Sequence, residues 1–387
     1  MRRLLTVTLV TVLALSTLGA TRLGSRPRTR AVPEGRTVVF NGQGNNLDAY
    51  TATRPFKHQL VDKTRADDPA GLDINAQICF FPQDDGKPVR RFIAGEDTLQ
   101  PNPPQGWGIF ELSGSRVGRF AIHEIAKLTP TYQGSLDNAE NYGCGFLSDG
   151  RVLTSDVGNQ ASGSGDGQLI VWFPPFDTGV GGQGQVRYCK IDTGLATAGG
   201  IAVDDHDHVY VASARPPTSG IWRYTGPFPT SDTAAGGCGK QDATGAPLAD
   251  AVTRELFIPA AAPLATPNAI VRRPGGGFYV SSVLNGVIAQ YDDNGTYVRT
   301  ILSPPMGETL GPKPFSTGTP LGIGVDEAGT IFYADIGIVI GPGGIGPGDN
   351  TGTVRRIRFR NGRPGPPVTM ASGLAFPDGI GIIDLHR

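Results

Sequence analysis

The sequence predicts an all-β fold: a six-bladed β-propeller of four-stranded antiparallel blades, its ring closed by N- and C-terminal strands in one blade. Three observations predict it. Glycine and proline number 56 and 32 of 387 residues, while charged residues make up only 18%. They punctuate short runs of Val, Ile, Tyr and Phe, the mark of many strands joined by tight turns. A unit of turn, alternating strand, Asp/Gly turn and second strand recurs from Tyr142, Gly199, Asn268, Leu321 and Asp378, at intervals of 57, 69, 53 and 57 residues. The last unit, LAFPDGIGIIDLHR, holds one strand where the others hold about four.

At the N-terminus, MRRLLTVTLVTVLALSTLGA sets two arginines before an apolar run from Leu4 to Leu15 and then small residues. Residues 1–31 therefore read as a signal peptide or an N-terminal anchor plus a basic linker carrying Arg22, Arg26, Arg28 and Arg30. This predicts a secreted or extracytoplasmic protein. Residues 35–387 read as a single propeller domain. The stretch Gly35–Lys63 is rich in strand formers and belongs to no repeat. It is expected to supply the outer strands that the last unit lacks, which removes the two open edges of the array. The alternative is a blade of its own, making seven. Four strands between Gly71 and Ile125 form the first complete unit. A single four-stranded sheet cannot bury both faces, whereas radial stacking of such sheets does.

Net charge is −1, which argues against nucleic acid as a partner. No membrane contact is expected beyond the N-terminal segment. Cys79, Cys144, Cys189 and Cys238 allow three pairings, and the favoured one is Cys189–Cys238, both lying toward the ends of units. Ser231–Asp250 is expected to be a surface excursion pinned by Cys238. Asn294-Gly295-Thr296 is a glycosylation sequon.

Strand starts and second-strand ends should emerge on one face of the ring. That face would gather Asn268, Asp378, Asp156 and Asp335, with Asp73 or Asn75, Glu96 and Asp97 as further candidates. Clustered oxygens of this kind suit a hard cation such as Ca²⁺, which takes six to eight. Aspartates at strand ends also cap turns through their own side chains. Two glycine-rich loops, VGNQASGSGDGQ and IGIVIGPGGIGPGDN, leave the same face, as lids or as plain exposed loops. DDHDH, Asp204–His208, aligns with the turns between first and second strands and belongs on the opposite face. No Gly-x-Ser-x-Gly motif is present.

The segments SDGRVLTSDVGN and DEAGTIFYADIG, with Pro-Asp-Gly or Pro-Asn before a strand, resemble the SMP-30/gluconolactonase-like propellers and the NHL-repeat proteins. The resemblance covers roughly Gly71 to the C-terminus. It implies a metal-dependent lactone or ester hydrolase with a divalent cation, Ca²⁺ foremost, at the tunnel mouth. Carried over by residue, Asn268 and Asp378 match ligand positions, and Glu140 is the nearest stand-in for the family's glutamate, whose register position is Tyr142. Leu321 departs from an expected asparagine. Asp335 or Asp156 would supply the general base. The alternative is a non-catalytic propeller that binds a carbohydrate or a protein, since one architecture hosts both kinds.

Overall fold

The computed structural model describes residues 36–96, 106–128, 141–156, 167–176, 186–304, 318–341 and 344–385. The expected leader, residues 1–31, lies outside the described residues, as do Asp97 and Glu140. The remainder is built of strands in six blades. Blade I places the C-terminal strand Pro377–Asp384 innermost, followed outward by Thr37–Gln43, Asn46–Thr51 and His58–Asp62. The N-terminal segment therefore completes the last repeat, and the ring has six blades rather than seven. Blade II contains Ile74–Phe80, Arg90–Glu96, Gly106–Ser113 and Ala121–Leu128. Blade III contains Asn141–Phe146, Val152–Asp156, Gly167–Trp172 and Tyr188–Leu195. Blade IV contains Ile201–Val203, Val209–Ser213, Gly220–Thr225 and Thr253–Pro259. Blade V contains Pro267–Arg272, Phe278–Ser282, Val287–Tyr291 and Tyr297–Leu302, and blade VI Pro320–Val325, Ile331–Asp335, Gly352–Ile357 and Val368–Leu374.

Each blade is apolar on both faces because it has a neighbour on both sides. The buried clusters lie between blades. Phe40 meets Phe92 and Phe110 between I and II. Ile93 and Ile109 meet Val152 and Trp172 between II and III. Leu153 and Val171 meet Val209 and Val211 between III and IV. Tyr210 meets Phe278 between IV and V, Ile288 meets Tyr333 between V and VI, and Phe332 meets Val39 between VI and I. The last of these contacts closes the circle.

The innermost strands converge so tightly that side chains are excluded at one layer. A Cβ on Gly143 would lie 2.4 Å from the Gly199 carbonyl oxygen, one on Gly322 2.1 Å from that of Asp378, and one on Gly379 1.5 Å from that of Ala76. This is why four of the five repeat starts open Tyr-Gly, Gly-Gly, Leu-Gly or Asp-Gly; the fifth, at Asn268, carries Ala269 there. Buried serines join neighbouring blades at the same level. Ser155 Oγ accepts from the Gly143 N–H at 2.8 Å and donates to the Gly199 carbonyl. Ser281 Oγ accepts from Ala269 N–H at 3.1 Å and donates to the Leu321 carbonyl at 2.8 Å.

Disulfides Cys79–Cys144 and Cys189–Cys238 account for the four cysteines, so the favoured pair is present. The first ties the innermost strands of blades II and III. The 231–250 excursion is more than a pinned loop. Its segments Lys240–Gln241 and Pro247–Leu248 extend the outer edge of blade III, where Leu248 pairs with Lys190. Beneath them the buried Lys190 ammonium donates to Asp242.

Candidate functional site at the tunnel mouth

Strand register confirms that first-strand starts and second-strand ends share a face. Ile74 pairs with Glu96, Asn141 with Asp156, Pro267 with Ser282, Pro320 with Asp335 and Pro377 with Gln43. The DDHDH turn sits at the other end of its strands. Asp204 Oδ1 accepts from the N–H groups of His206 and His208, both at 2.9 Å, a turn tied by its own aspartate.

The candidate residues divide by what their oxygens already do. Asp335 is fully buried. Its Oδ1 accepts from Thr319 N–H at 2.7 Å, Thr319 Oγ1 at 2.9 Å and Gly337 N–H at 3.0 Å. Its Oδ2 accepts from Thr353 Oγ1 at 3.0 Å and faces Arg355 Nη2 at 3.1 Å. Five donors occupy a group with about four lone-pair sites, so Asp335 is placed to hold its loop rather than to accept a proton. Asp156 is buried between Asn141 and Gln168 in the blade III register. Asp73 accepts from Thr64 Oγ1 and Arg65 N–H and fixes the chain before blade II.

Asp378 bridges blades I and II. Its Oδ2 accepts from Ala76 N–H at 2.9 Å and its Oδ1 from Gly379 N–H at 2.6 Å. Ala76 adopts a left-handed φ of 61°, which this bond supports. Asn268 passes its backbone carbonyl to Gly200 N–H at 2.8 Å. Its side-chain Oδ1 is buried without a hydrogen-bond partner. Tyr142 occupies the equivalent start in blade III, and its hydroxyl is also buried, beside the Asn268 side chain. Burial holds the phenol far above its ordinary ionisation range, and the charge of Asp378 adds to this, while the Asn268 amide acts in the opposite direction. Tyr142 is therefore a neutral phenol beside Asn268, within the field of Asp378.

Leu321 turns to an apolar wall of Val283, Ile336 and Ile338, against which Tyr142 packs. Ile336 and Ile338 root the second glycine-rich loop, which forms the small hairpin Ile338–Gly341 with Gly344–Pro347. The loop after Asp156 lies outside the described residues. In the sequence Tyr142 reads only as the position where a glutamate is missing. Its place at a strand start was the available signal that it belongs to the site.

A second acidic group lines the face at blade II. Glu96 is 4% exposed, and its Oε2 receives Lys127 Nζ at 2.9 Å, while Glu124 Oε1 lies 3.2 Å from the same ammonium. Burial, reinforced by Glu124, pushes the Glu96 carboxyl up to about 7 against the pull of Lys127.

The donor set does not fit the expected cation. Among the described residues four of the strand starts, Asp378, Asn268, Tyr142 and Leu321, supply one carboxylate, one amide oxygen, one neutral phenol and a leucine, and Gly199 supplies no side chain. No group of three His, Cys, Asp or Glu side chains among the described residues is arranged to hold a metal. A hard dication requires six to eight oxygens, several of them anionic.

No protein-family model matches the chain, and no curated protein matches it. Solved structures of similar architecture include a luciferin-regenerating enzyme, 14% identical with TM-score 0.44, covering 78% of this chain and 80% of that one. A gluconolactonase from Xanthomonas campestris is 14% identical with TM-score 0.43, covering 74% and 78%. A calcium-binding protein, regucalcin, from Agrobacterium tumefaciens is 12% identical with TM-score 0.38, covering 67% and 81%. At these identities the likeness concerns the fold alone.

Proposed function

We propose that this protein is an exported propeller that binds a small organic molecule at its tunnel mouth, beneath the 338–347 hairpin. The observation that carries the reading is the pairing of an orphaned polar atom with an apolar wall. Asn268 Oδ1 is buried without a hydrogen-bond partner beside Tyr142, whose ring packs on the cluster of Leu321, Val283, Ile336 and Ile338. Buried polar groups are ordinarily satisfied, and a pocket with an apolar lining and a few convergent polar atoms is the usual form of a ligand site. Export is supported by the arginine-led apolar leader and by two disulfides, which persist in oxidising compartments. Sequencing the N-terminus of protein recovered outside the cytoplasm tests export, and retention of the intact chain inside the cell overturns it.

The test of binding is thermal unfolding of the full chain across a panel of lactones, sugars, amines and carboxylic acids, for wild type and Asn268→Leu. A native-state ligand raises the midpoint with concentration. At least one class should do so in the wild type and fail in Asn268→Leu. Absence of any class-dependent shift overturns the reading. A parallel series with Ca²⁺, Mg²⁺, Mn²⁺ and Zn²⁺ addresses the hydrolase that the resemblance implies. A metal-dependent shift lost in Asp378→Ala, with lactone turnover, would replace this proposal by that one.

A further inference from the structure

The end of the ring remote from the mouth carries an unmatched positive patch where blades V and VI meet. Between the third and fourth strands of blade VI, a small hairpin pairs Phe359–Arg360 with Arg363–Pro364 around Asn361 and Gly362. Both turn residues have left-handed φ, 50° and 73°, as a tight two-residue hairpin requires. Arg360 and Arg363 lie directly opposite each other and are exposed. Opposed residues share a face of the ribbon, so these two like charges repel. On the other face Phe359 stacks on Tyr279 of blade V, with centroids 6.0 Å apart. The arginine face therefore points outward.

A third guanidinium is fixed at the turn. Arg299, on the outer strand of blade V, donates from Nε to Gln290 Oε1 at 2.8 Å and from Nη1 to the Gly362 carbonyl at 2.6 Å. It also lies 5.6 Å from the Phe359 ring centroid. All three partners are neutral. Two of its five N–H donors are spent and three remain. Among the described residues Arg299, Arg360 and Arg363 form no ion pair. Arg272, at the same end of blade V, meets Asp293 at 3.0 Å, and Arg223 of blade IV is matched by Glu255.

Such a field attracts anions. A single exposed ion pair contributes little, so a ligand must present several charges along its length. The surroundings discriminate among polyanions. Single-stranded nucleic acid stacks its bases on open aromatic rings. Here Tyr279 is buried between Phe359 and Arg273, and Arg299 covers Phe359. Membrane surfaces are gripped by apolar side chains inserted beside the charges, and Phe359 is packed inward on the V–VI core. A protein partner needs an apolar centre to its interface, which the face of Arg360, Asn361, Gly362 and Arg363 lacks. A sugar polymer with repeating acidic groups requires none of these, and forked guanidinium groups match its oxyanions.

We infer that the Arg299, Arg360 and Arg363 surface docks an acidic polysaccharide. This surface is separate from the mouth and does not depend on the binding reading above.

The test is calorimetric titration of the full chain with dextran sulfate, polygalacturonate and neutral dextran. A thymidine oligonucleotide and vesicles of phosphatidylcholine with phosphatidylglycerol are run beside them. Arg22, Arg26, Arg28 and Arg30 also attract polyanions, so dependence on the hairpin is the readout. Dextran sulfate or polygalacturonate should bind, less tightly as ionic strength rises, and neutral dextran should not. Which of the two binds tells sulfate from carboxylate. The double substitution Arg360→Gln with Arg363→Gln should weaken binding at least fivefold. Arg223→Gln, the same charge change at a paired arginine, should alter it less than twofold. Both arginines are exposed and repel, so the double variant should unfold in urea no earlier than wild type. Should it fail to fold, each single substitution serves, with at least a twofold loss expected. A smaller loss, an equal loss in Arg223→Gln, or no binding of either acidic polymer overturns the inference. Tighter hairpin-dependent binding of the oligonucleotide or the vesicles overturns the assignment to a polysaccharide.

Discussion

Glu96→Gln offers a quantitative test of the electrostatics at the mouth face. Glu96 is 4% exposed and its carboxyl is raised from 4.5 to about 7, by burial first and by Glu124 second. A carboxyl that is more basic when folded makes the folded state bind the extra proton. Stability from this group is fully present below about pH 4.5 and is lost as pH rises through about 7. The shift of roughly 2.5 units corresponds to about 3 kcal/mol at 1.36 kcal/mol per unit. Glutamine cannot ionise, so the mutant escapes that loss. The stability of Glu96→Gln relative to wild type should climb by about 3 kcal/mol between pH 4.5 and 8, most steeply between about pH 5 and 6.5. The assay is urea denaturation of both proteins at half-unit pH steps, reading the difference so that all other titrations cancel. A midpoint shift of only about 4 °C is expected for a chain of this length, so urea is the sharper probe. Lys127 stays paired with Glu124 in the mutant, which keeps its ammonium from being stranded. A difference that is flat with pH, or that falls as pH rises, would refute the assignment of Glu96 as a desolvated acid.

Packing and pairing elsewhere in the ring lead to three more tests. Gly379→Ala puts a Cβ 1.5 Å from the Ala76 carbonyl, where only backbone movement gives relief, and should cost more than about 3 kcal/mol or block folding. Gly346→Ala, with no atom within 4 Å of the new Cβ, is its control and should change urea stability by less than about 0.5 kcal/mol. Asp242→Asn strands the buried Lys190 ammonium and should cost about 3–5 kcal/mol at pH 7. Because the Asp242 carboxyl is lowered to about 2, the wild-type advantage should persist above about pH 4 and fade between pH 4 and 2; an advantage unchanged at pH 2 would count against the pair. Removing Cys79–Cys144 by double serine substitution opens a 65-residue span and should cost about 4 kcal/mol in urea unfolding, with a loss under about 1 kcal/mol contradicting its role as a tie between blades.

The sequence by itself determined the architecture. Turn chemistry and period-two alternation are local signals, and their recurrence from Tyr142 to Asp378 counted the blades. The single strand at Pro377–Asp384 called for partners, and Thr37–Gln43 was among the only strands left to give. The same logic placed the DDHDH turn away from the mouth. Tertiary structure decided how far the oxygens of those starts are already engaged. Asp335 looked like a free acid in sequence, yet Thr319, Gly337, Thr353 and Arg355 consume its lone pairs. Tyr142 looked like a defect, yet it is buried beside Asn268 and packs on the Leu321 cluster. Lys127 gave no sign of standing between Glu96 and Glu124. The physical reason is that a propeller mouth gathers one residue from each blade. Pattern within a blade fixes which face a side chain points to, but its partners, burial and ionisation are set by neighbours that only ring closure brings near.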